Sequence, residues 1–256
     1  MTLEARLAGL SRKAARAGIF SDFDGVLAPI VPDPEQARPL RGAQPVMARL
    51  AQRFGLVAVV TGRDLESLRR RWRAPGVMQV GLHGMEVRHG RRLVVQPEAR
   101  AARPAVERAI ARLRAEVGAI DGVTIEHKGW AAAVHFRRAR DPAGAQDAAA
   151  PAVASIAAAE GLVVKPGRRI LEIVPLHART KGDAIRALIV EHGLEAALVI
   201  GDDLGDVPAF EAVSALATHL RVAVVSDESP PALAKAADHT VWGPSEAVAL
   251  LRRLAG

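Results

Sequence analysis

Short apolar runs, each cut off by a polar or glycine-bearing turn and then followed by a helical pattern, recur at both ends of this chain. Gly18-Ile19-Phe20-Ser21 stops at Asp22-Phe23-Asp24-Gly25, and Leu56-Val57-Ala58-Val59-Val60 stops at Thr61-Gly62-Arg63. Ala197-Leu198-Val199-Ile200 stops at Gly201-Asp202-Asp203-Leu204-Gly205-Asp206. Runs that are apolar throughout, rather than alternating, belong to strands buried on both faces. Their alternation with helical patterns, near 3–17, 44–54, from about 64, and 182–192, predicts an α/β core with a parallel sheet covered on both sides. Further strands are expected at 77–82, at 86–95 as a pair turning at His89-Gly90, and at 221–225, before a closing strand and helix.

The middle of the chain reads differently. A long helical pattern covers 97–118, and alternating strands at 123–126 and 131–136 flank Lys128-Gly129. An Ala-rich helix then runs to Glu160, and strands at 162–165 and 169–174 pair around Pro166-Gly167. This order is αββαββ, so a second α+β domain spanning 97–176 is expected to interrupt a core made of 1–96 and 177–256. A length of 256 residues suits one large domain or two modest ones.

Composition removes several classes. With no cysteine there is no disulfide framework, no thiolate zinc site and no cysteine nucleophile. A reducing cytoplasm permits such a chain. No apolar run approaches the ~18 residues of a membrane span, and the first residues lack the apolar core of a secretory signal. The net charge of +7 raises the question of nucleic acid. Residues 97–176 hold 12 basic and 9 acidic side chains, so the surplus is spread rather than gathered. The densest run, Arg69-Arg70-Arg71 with Arg73, lies in a helical pattern and is read as a solvated face rather than a nucleic-acid patch. An anionic small-molecule substrate suits the mild surplus at least as well.

Four polar segments sit just past apolar strands, the edge where an open α/β sheet binds ligands. Asp22 and Asp24, two residues apart, lie about 7 Å from each other on one strand face, and Gly25 lets the chain turn behind them. Two carboxylates at ~4 Å repel by about 4 kcal/mol at an effective dielectric of 20, so a shared cation or proton is expected. The run Asp202, Asp203, Asp206 offers only oxygen ligands, the choice of a hard ion such as magnesium. Asp206 alone is equally a helix cap, with Pro208 in the first turn. Thr61 and the Gly62 amide suit phosphate oxygens. Taken singly, Lys181 is a solvated lysine; its force comes from its place in the series of acid pair, hydroxyl turn, lysine and acid cluster.

In that order the segments resemble the four-motif signature of the haloacid-dehalogenase-like (HAD) phosphatases. The wording within it is similar to the trehalose-6-phosphate phosphatase family, in Asp22-Phe23-Asp24-Gly25-Val26-Leu27, Gly81-Leu82-His83-Gly84-Met85-Glu86, Glu126-His127-Lys128-Gly129, Val134-His135-Phe136-Arg137 and Leu171-Glu172-Ile173-Val174-Pro175. The resemblance implies a Rossmann-like HAD core with an αββαββ (C2-type) cap. It implies Asp22 as nucleophile, Asp24 as acid and base, and Mg2+ held by Asp22, Asp202 and the main-chain carbonyl of Asp24. Thr61, Gly62 and Lys181 would hold phosphate, Asp206 and Asp203 would orient water or Lys181, and Arg63, His83, Glu86, Glu126, Lys128, His135, Arg137 and Glu172 would meet the substrate. A surface strand with mixed charges would carry similar cap residues.

Two positions depart from the family pattern. Val26 stands where a threonine is usual, and Val207 follows Asp206 where a glutamate is usual. They leave open a catalytically silent sugar-phosphate binding protein, and core motifs that say little about the alcohol leave open a phosphatase for another sugar phosphate, such as sucrose 6-phosphate. A cytoplasmic monomer acting on a small sugar phosphate, without nucleic acid or membrane, is expected.

Overall fold

The computed structural model describes residues 1–167 and 169–256. It divides into two compact units, Met1–Val94 with Arg179–Gly256, and Val95–Ala178.

The first unit is built on an eight-stranded sheet. Its strands are β1 (Ala17–Ser21), β2 (Leu56–Val60), β3 (Met78–Gly81), β4 (Glu86–His89), β5 (Arg92–Val95), β10 (Ala196–Gly201), β11 (Thr218–Val225) and β12 (His239–Trp242). The spatial order is β12-β11-β10-β1-β2-β3-β4-β5. From β12 to β3 every pairing is parallel. β4 turns back antiparallel to β3, a mixed edge on an otherwise parallel sheet.

Side chains on β1 alternate between two cores. Ile19 packs with α1 (Leu3–Arg12), α2 (Ala43–Arg53), α3 (Leu65–Arg71) and α9 (Gly243–Ala255), whereas Phe20 packs with α6 (Lys181–Glu191), α7 (Val207–Val213) and α8 (Pro231–Ala236). Helices on both faces are why the strand sequences are apolar without alternation. Each fully buried large apolar side chain such as Phe20 stabilises by about 1.5–3 kcal/mol relative to exposure. In α2 the core face is Ala43, Val46, Met47 and Leu50, the i, i+3, i+4, i+7 spacing of one helix stripe. The first helix is shorter than its pattern: α1 stops at Arg12, and a 3₁₀ turn over Ala14–Arg16 leads into β1.

The arginine run on α3 is only partly a solvated face. Arg69 and Arg70 are exposed, but the Arg71 side chain is 4% exposed and bonds Glu35. Trp72 is fully buried, edge-on to Phe23.

The second unit holds α4 (Pro97–Glu116), β6 (Thr124–His127), β7 (Ala132–His135), α5 (Pro142–Ala159), β8 (Leu162–Gly167) and β9 (Ile170–Pro175). Its antiparallel sheet runs β6-β7-β9-β8. Val134, Leu171 and Ile173 pack against Val106, Ile110 and Leu113 of α4 and Val153 and Ile156 of α5. This unit therefore has a core of its own. Among the described residues no helix is long and apolar enough to cross a membrane.

Candidate active site

The reversal of strand order places the site. From β1 the chain proceeds to β2 and β3 on one side, while β10, β11 and β12 fill the other. The crevice beyond the strand ends at such a reversal is where doubly wound sheets bind ligands. Asp22 and Asp202 each stand one residue past the ends of β1 and β10, and the Asp22 amide continues the ladder to the Ile200 carbonyl at 3.0 Å. Gly25 has φ +73°, and a Cβ on it would lie 2.1 Å from Asp202 Oδ2. The glycine is needed for the turn and for the close approach of that carboxylate.

Lys181 opens α6 behind Thr180, whose side chain and that of Asp183 form a capping box. Its ammonium donates to Asp22 Oδ2 and to Asp206 Oδ1, both at 2.7 Å. Asp206 Oδ2 accepts the backbone amides of Asp202 and Asp203 at 3.0 and 3.2 Å. Asp22 Oδ1 accepts the Phe23 amide at 2.6 Å. Burial raises the Asp22 carboxyl above the usual range against the pull of Lys181, and the neighbouring Asp206 and Asp24 add to the rise. Burial, then the Asp22 and Asp206 charges, raise Asp202 well above its ordinary value. For Lys181 burial acts downward, but Asp206 and Asp22 outweigh it and keep the ammonium charged.

Oxygens of Asp22, Asp202 and Asp206 lie within 4.8 Å of one another, and all three residues are buried. Three carboxylates gathered on one ammonium in a buried pocket cannot all stay ionised without either a further cation or a proton. The donors are all hard oxygens, so the residues present fit a hard cation.

Thr61 is buried at the end of β2 and its Oγ1 accepts the Arg63 amide at 3.2 Å. The next loop braces this turn, with the Leu82 amide on the Arg63 carbonyl at 2.8 Å and the His83 amide on the Thr61 carbonyl at 3.0 Å. Leu82 and His83 make these bonds in the left-handed region, φ 47° and 58°, which non-glycine residues seldom occupy. Histidine tolerates that region as Asn and Asp do, but leucine does not, so the sequence offers no signal for it at Leu82. Glu86 is buried, and its Oε2 accepts the Leu65 amide at 2.7 Å in the first turn of α3. The Arg63 side chain meets Asp24: Nε donates to Oδ2 at 2.7 Å and Nη2 to Oδ1 at 2.8 Å. A separation of 39 residues hides that pair from any reading of spacing.

In the second unit, register aligns Glu126 with Ala133, Ala133 with Glu172 and Glu172 with Lys165. These positions share the sheet face opposite the helix-packed side chains. Lys128 is buried and donates to Glu172 Oε1 at 2.6 Å, with Glu126 Oε2 at 4.0 Å. Glu126 Oε2 also lies 2.7 Å from His135 Nε2. Arg137 falls in the turn after β7, which ends at His135.

A parallel core whose acidic strand ends meet at the reversal point, interrupted by a separate α+β unit, defines the class. It is a haloacid-dehalogenase-type fold. The trehalose-phosphatase family model matches residues 20–241. A trehalose-phosphate phosphatase of Mycobacterium avium is 39% identical over 203 residues, 76% of this chain and 51% of that protein. One of Mycobacterium tuberculosis is 35% identical over 209 residues, 78% of this chain and 52% of its own length. The chain thus spans about half the length of the curated relatives it matches. A solved structure described as a trehalose-6-phosphate phosphatase related protein superposes with a TM-score of 0.79 at 25% identity, covering 93% of this chain and 96% of that one. The C-terminal domain of the Candida albicans trehalose-6-phosphate phosphatase gives a TM-score of 0.85 at 21% identity, covering 100% and 98%. The chain belongs to the trehalose-phosphatase family.

Proposed function

We propose that this chain hydrolyses trehalose 6-phosphate to trehalose and phosphate in a Mg2+-dependent reaction. The supporting observation is Asp22: a buried carboxylate at the sheet reversal, fixed by Lys181 and set among acids that fit a hard cation. Unaided phosphate monoester hydrolysis is among the slowest of reactions, so the site must neutralise charge and align an in-line attack.

An Asp22 oxygen attacks phosphorus while the bond to the sugar oxygen breaks, leaving an aspartyl phosphate. Asp24 gives its proton to the departing oxygen. Water then attacks the same phosphorus, passes a proton to Asp24, and the bond to Asp22 breaks to release inorganic phosphate. Thr61, the Gly62 amide and Lys181 hold the phosphate oxygens. Asp206 orients Lys181, and Asp203 supports the loop. Mg2+, held by Asp22, Asp202 and the Asp24 carbonyl, supplies charge neutralisation when bound. Glu126, Lys128 and Glu172 are assigned to the sugar hydroxyls, with His135, Arg137, His83 and Glu86 as further contacts. The cysteine-free composition is compatible with a reducing cytoplasm, and a monomer is the working state.

Phosphate release from trehalose 6-phosphate, sucrose 6-phosphate and glucose 6-phosphate, with and without Mg2+, tests the reading. Preference for trehalose 6-phosphate is expected. Equal slow turnover of all three defeats the substrate assignment, and tight binding without turnover defeats the activity.

A further inference from the structure

Arg63 is grouped by sequence with the phosphate-binding turn, yet its side chain turns to Asp24 and the Pro34 carbonyl. Nε and Nη2 meet the two Asp24 carboxylate oxygens at 2.7 and 2.8 Å, and Nη2 also donates to the Pro34 carbonyl at 2.9 Å. The guanidinium lies 5.6 Å from the centre of the Phe23 ring, within the range of a cation–π contact. Phe23 is itself fixed edge-on against buried Trp72. Both main-chain groups of Arg63 are tied as well, the amide to Thr61 Oγ1 and the carbonyl to the Leu82 amide. The Pro34 turn is fastened in turn, since Arg71 Nη2 bonds the Glu35 carbonyl at 2.9 Å. The Arg63 side chain is 9% exposed and that of Asp24 34%. The rigid, buried member of the pair is the arginine, and the member open to a reactant is the acid.

We propose that Arg63 is a positioning residue for Asp24, fixing the place and plane of its carboxyl rather than touching phosphate or sugar. The inference rests on the function proposed above, in which Asp24 gives a proton to the leaving oxygen and later takes one from water. Both transfers need the carboxyl within about 2.6–3.2 Å of its partner. A carboxyl on an irregular loop rotates freely about its last bond, and a planar two-point donor removes that freedom where a point charge such as lysine does not.

The chemistry separates this role from the others. An alkyl oxygen leaves only if it is protonated, whereas p-nitrophenolate leaves without help, so the first step needs Asp24 for alkyl phosphates alone. The second step needs Asp24 for every substrate. Arg63→Ala and Arg63→Lys are to be assayed on trehalose 6-phosphate, 2-glycerol phosphate and p-nitrophenyl phosphate, the last in the pre-steady state. Both variants should lose about a hundredfold in kcat on the two alkyl phosphates, with KM moving less than about threefold. With p-nitrophenyl phosphate a burst of phenolate should persist ahead of slow turnover, its amplitude counting correctly folded sites. Should the alanine variant fail to fold, the lysine variant carries the comparison.

A phosphate contact would instead abolish the burst, and a sugar contact would raise KM for trehalose 6-phosphate while sparing both small substrates. Either result, or unchanged rates throughout, overturns the proposal. If the unaltered chain hydrolyses none of the three, it is the phosphatase reading that falls, and this inference falls with it.

Discussion

Asp22 and Asp206 share one ammonium but should answer to mutation differently. An amide in place of Asp22 cannot form an acyl phosphate, so Asp22→Asn should lower turnover by at least about a thousandfold. Phosphate release at saturating substrate checks this, and substantial residual activity would remove Asp22 from the nucleophile's role. Asp206 has a structural burden as well, accepting from Lys181 on one oxygen and from two backbone amides on the other. Whichever way an asparagine turns, its NH2 faces a donor. Asp206→Asn should therefore destabilise the fold by about 3 kcal/mol, read as a lower denaturant midpoint at unchanged m. An unshifted midpoint would show that the network carries little of the stability. At this scale the sequence was half informative. Gly25 is legible as a turn residue, but its closeness to Asp202 joins two strands far apart in the chain and leaves no local trace.

Among the elements, α3 shows how function and scaffold compete for one residue. Its first turn is capped twice, by Asp64 Oδ1 on the Ser67 amide at 2.7 Å and by Glu86 on the Leu65 amide. Glu86→Ala leaves a buried amide without that acceptor, so about 1–3 kcal/mol should be lost. Denaturant unfolding measures the loss; a normal midpoint with raised KM would leave Glu86 its substrate contact and no share in holding α3. The strands at the site, β1, β2 and β10, were legible because burial on both faces leaves continuous apolar runs. The strands flanking Lys128-Gly129 followed from alternation. The antiparallel return of β4 was not legible, since a short apolar run carries no direction. Nor was the inward turn of Arg71: helical spacing puts a side chain on a stripe but does not say what loop, here Glu35, closes over it.

For the molecule as a whole, stability should respond to cations and to acid through different groups. A divalent ion that binds the folded site but not the unfolded chain adds about 2.7 kcal/mol at a concentration of 100 Kd. Mg2+ should accordingly raise the melting temperature, and a chain insensitive to it would argue against the carboxylate site. Acid acts through Asp238, which ties the start of the chain to its end. Burial pushes this carboxyl up, but hydrogen bonds from Arg221, with the Arg6 charge on α1, bring it down to about 2. A pKa lower in the folded state than in the unfolded one means that folding favours the ionised form. The stabilisation is complete above the unfolded value of 3.8 and is lost as pH falls through the folded value near 2. Asp183, held at about 2 by the Thr180 amide and hydroxyl and by Arg186, acts in the same direction but from a half-exposed position, where solvent screens it. Asp238→Asn should then be less stable at neutral pH by on the order of 1 kcal/mol, and the difference from the unaltered chain should shrink between pH 4 and pH 2. Urea midpoints followed across that range test both halves, and a constant difference at every pH would mean that packing, not charge, is what Asp238 contributes.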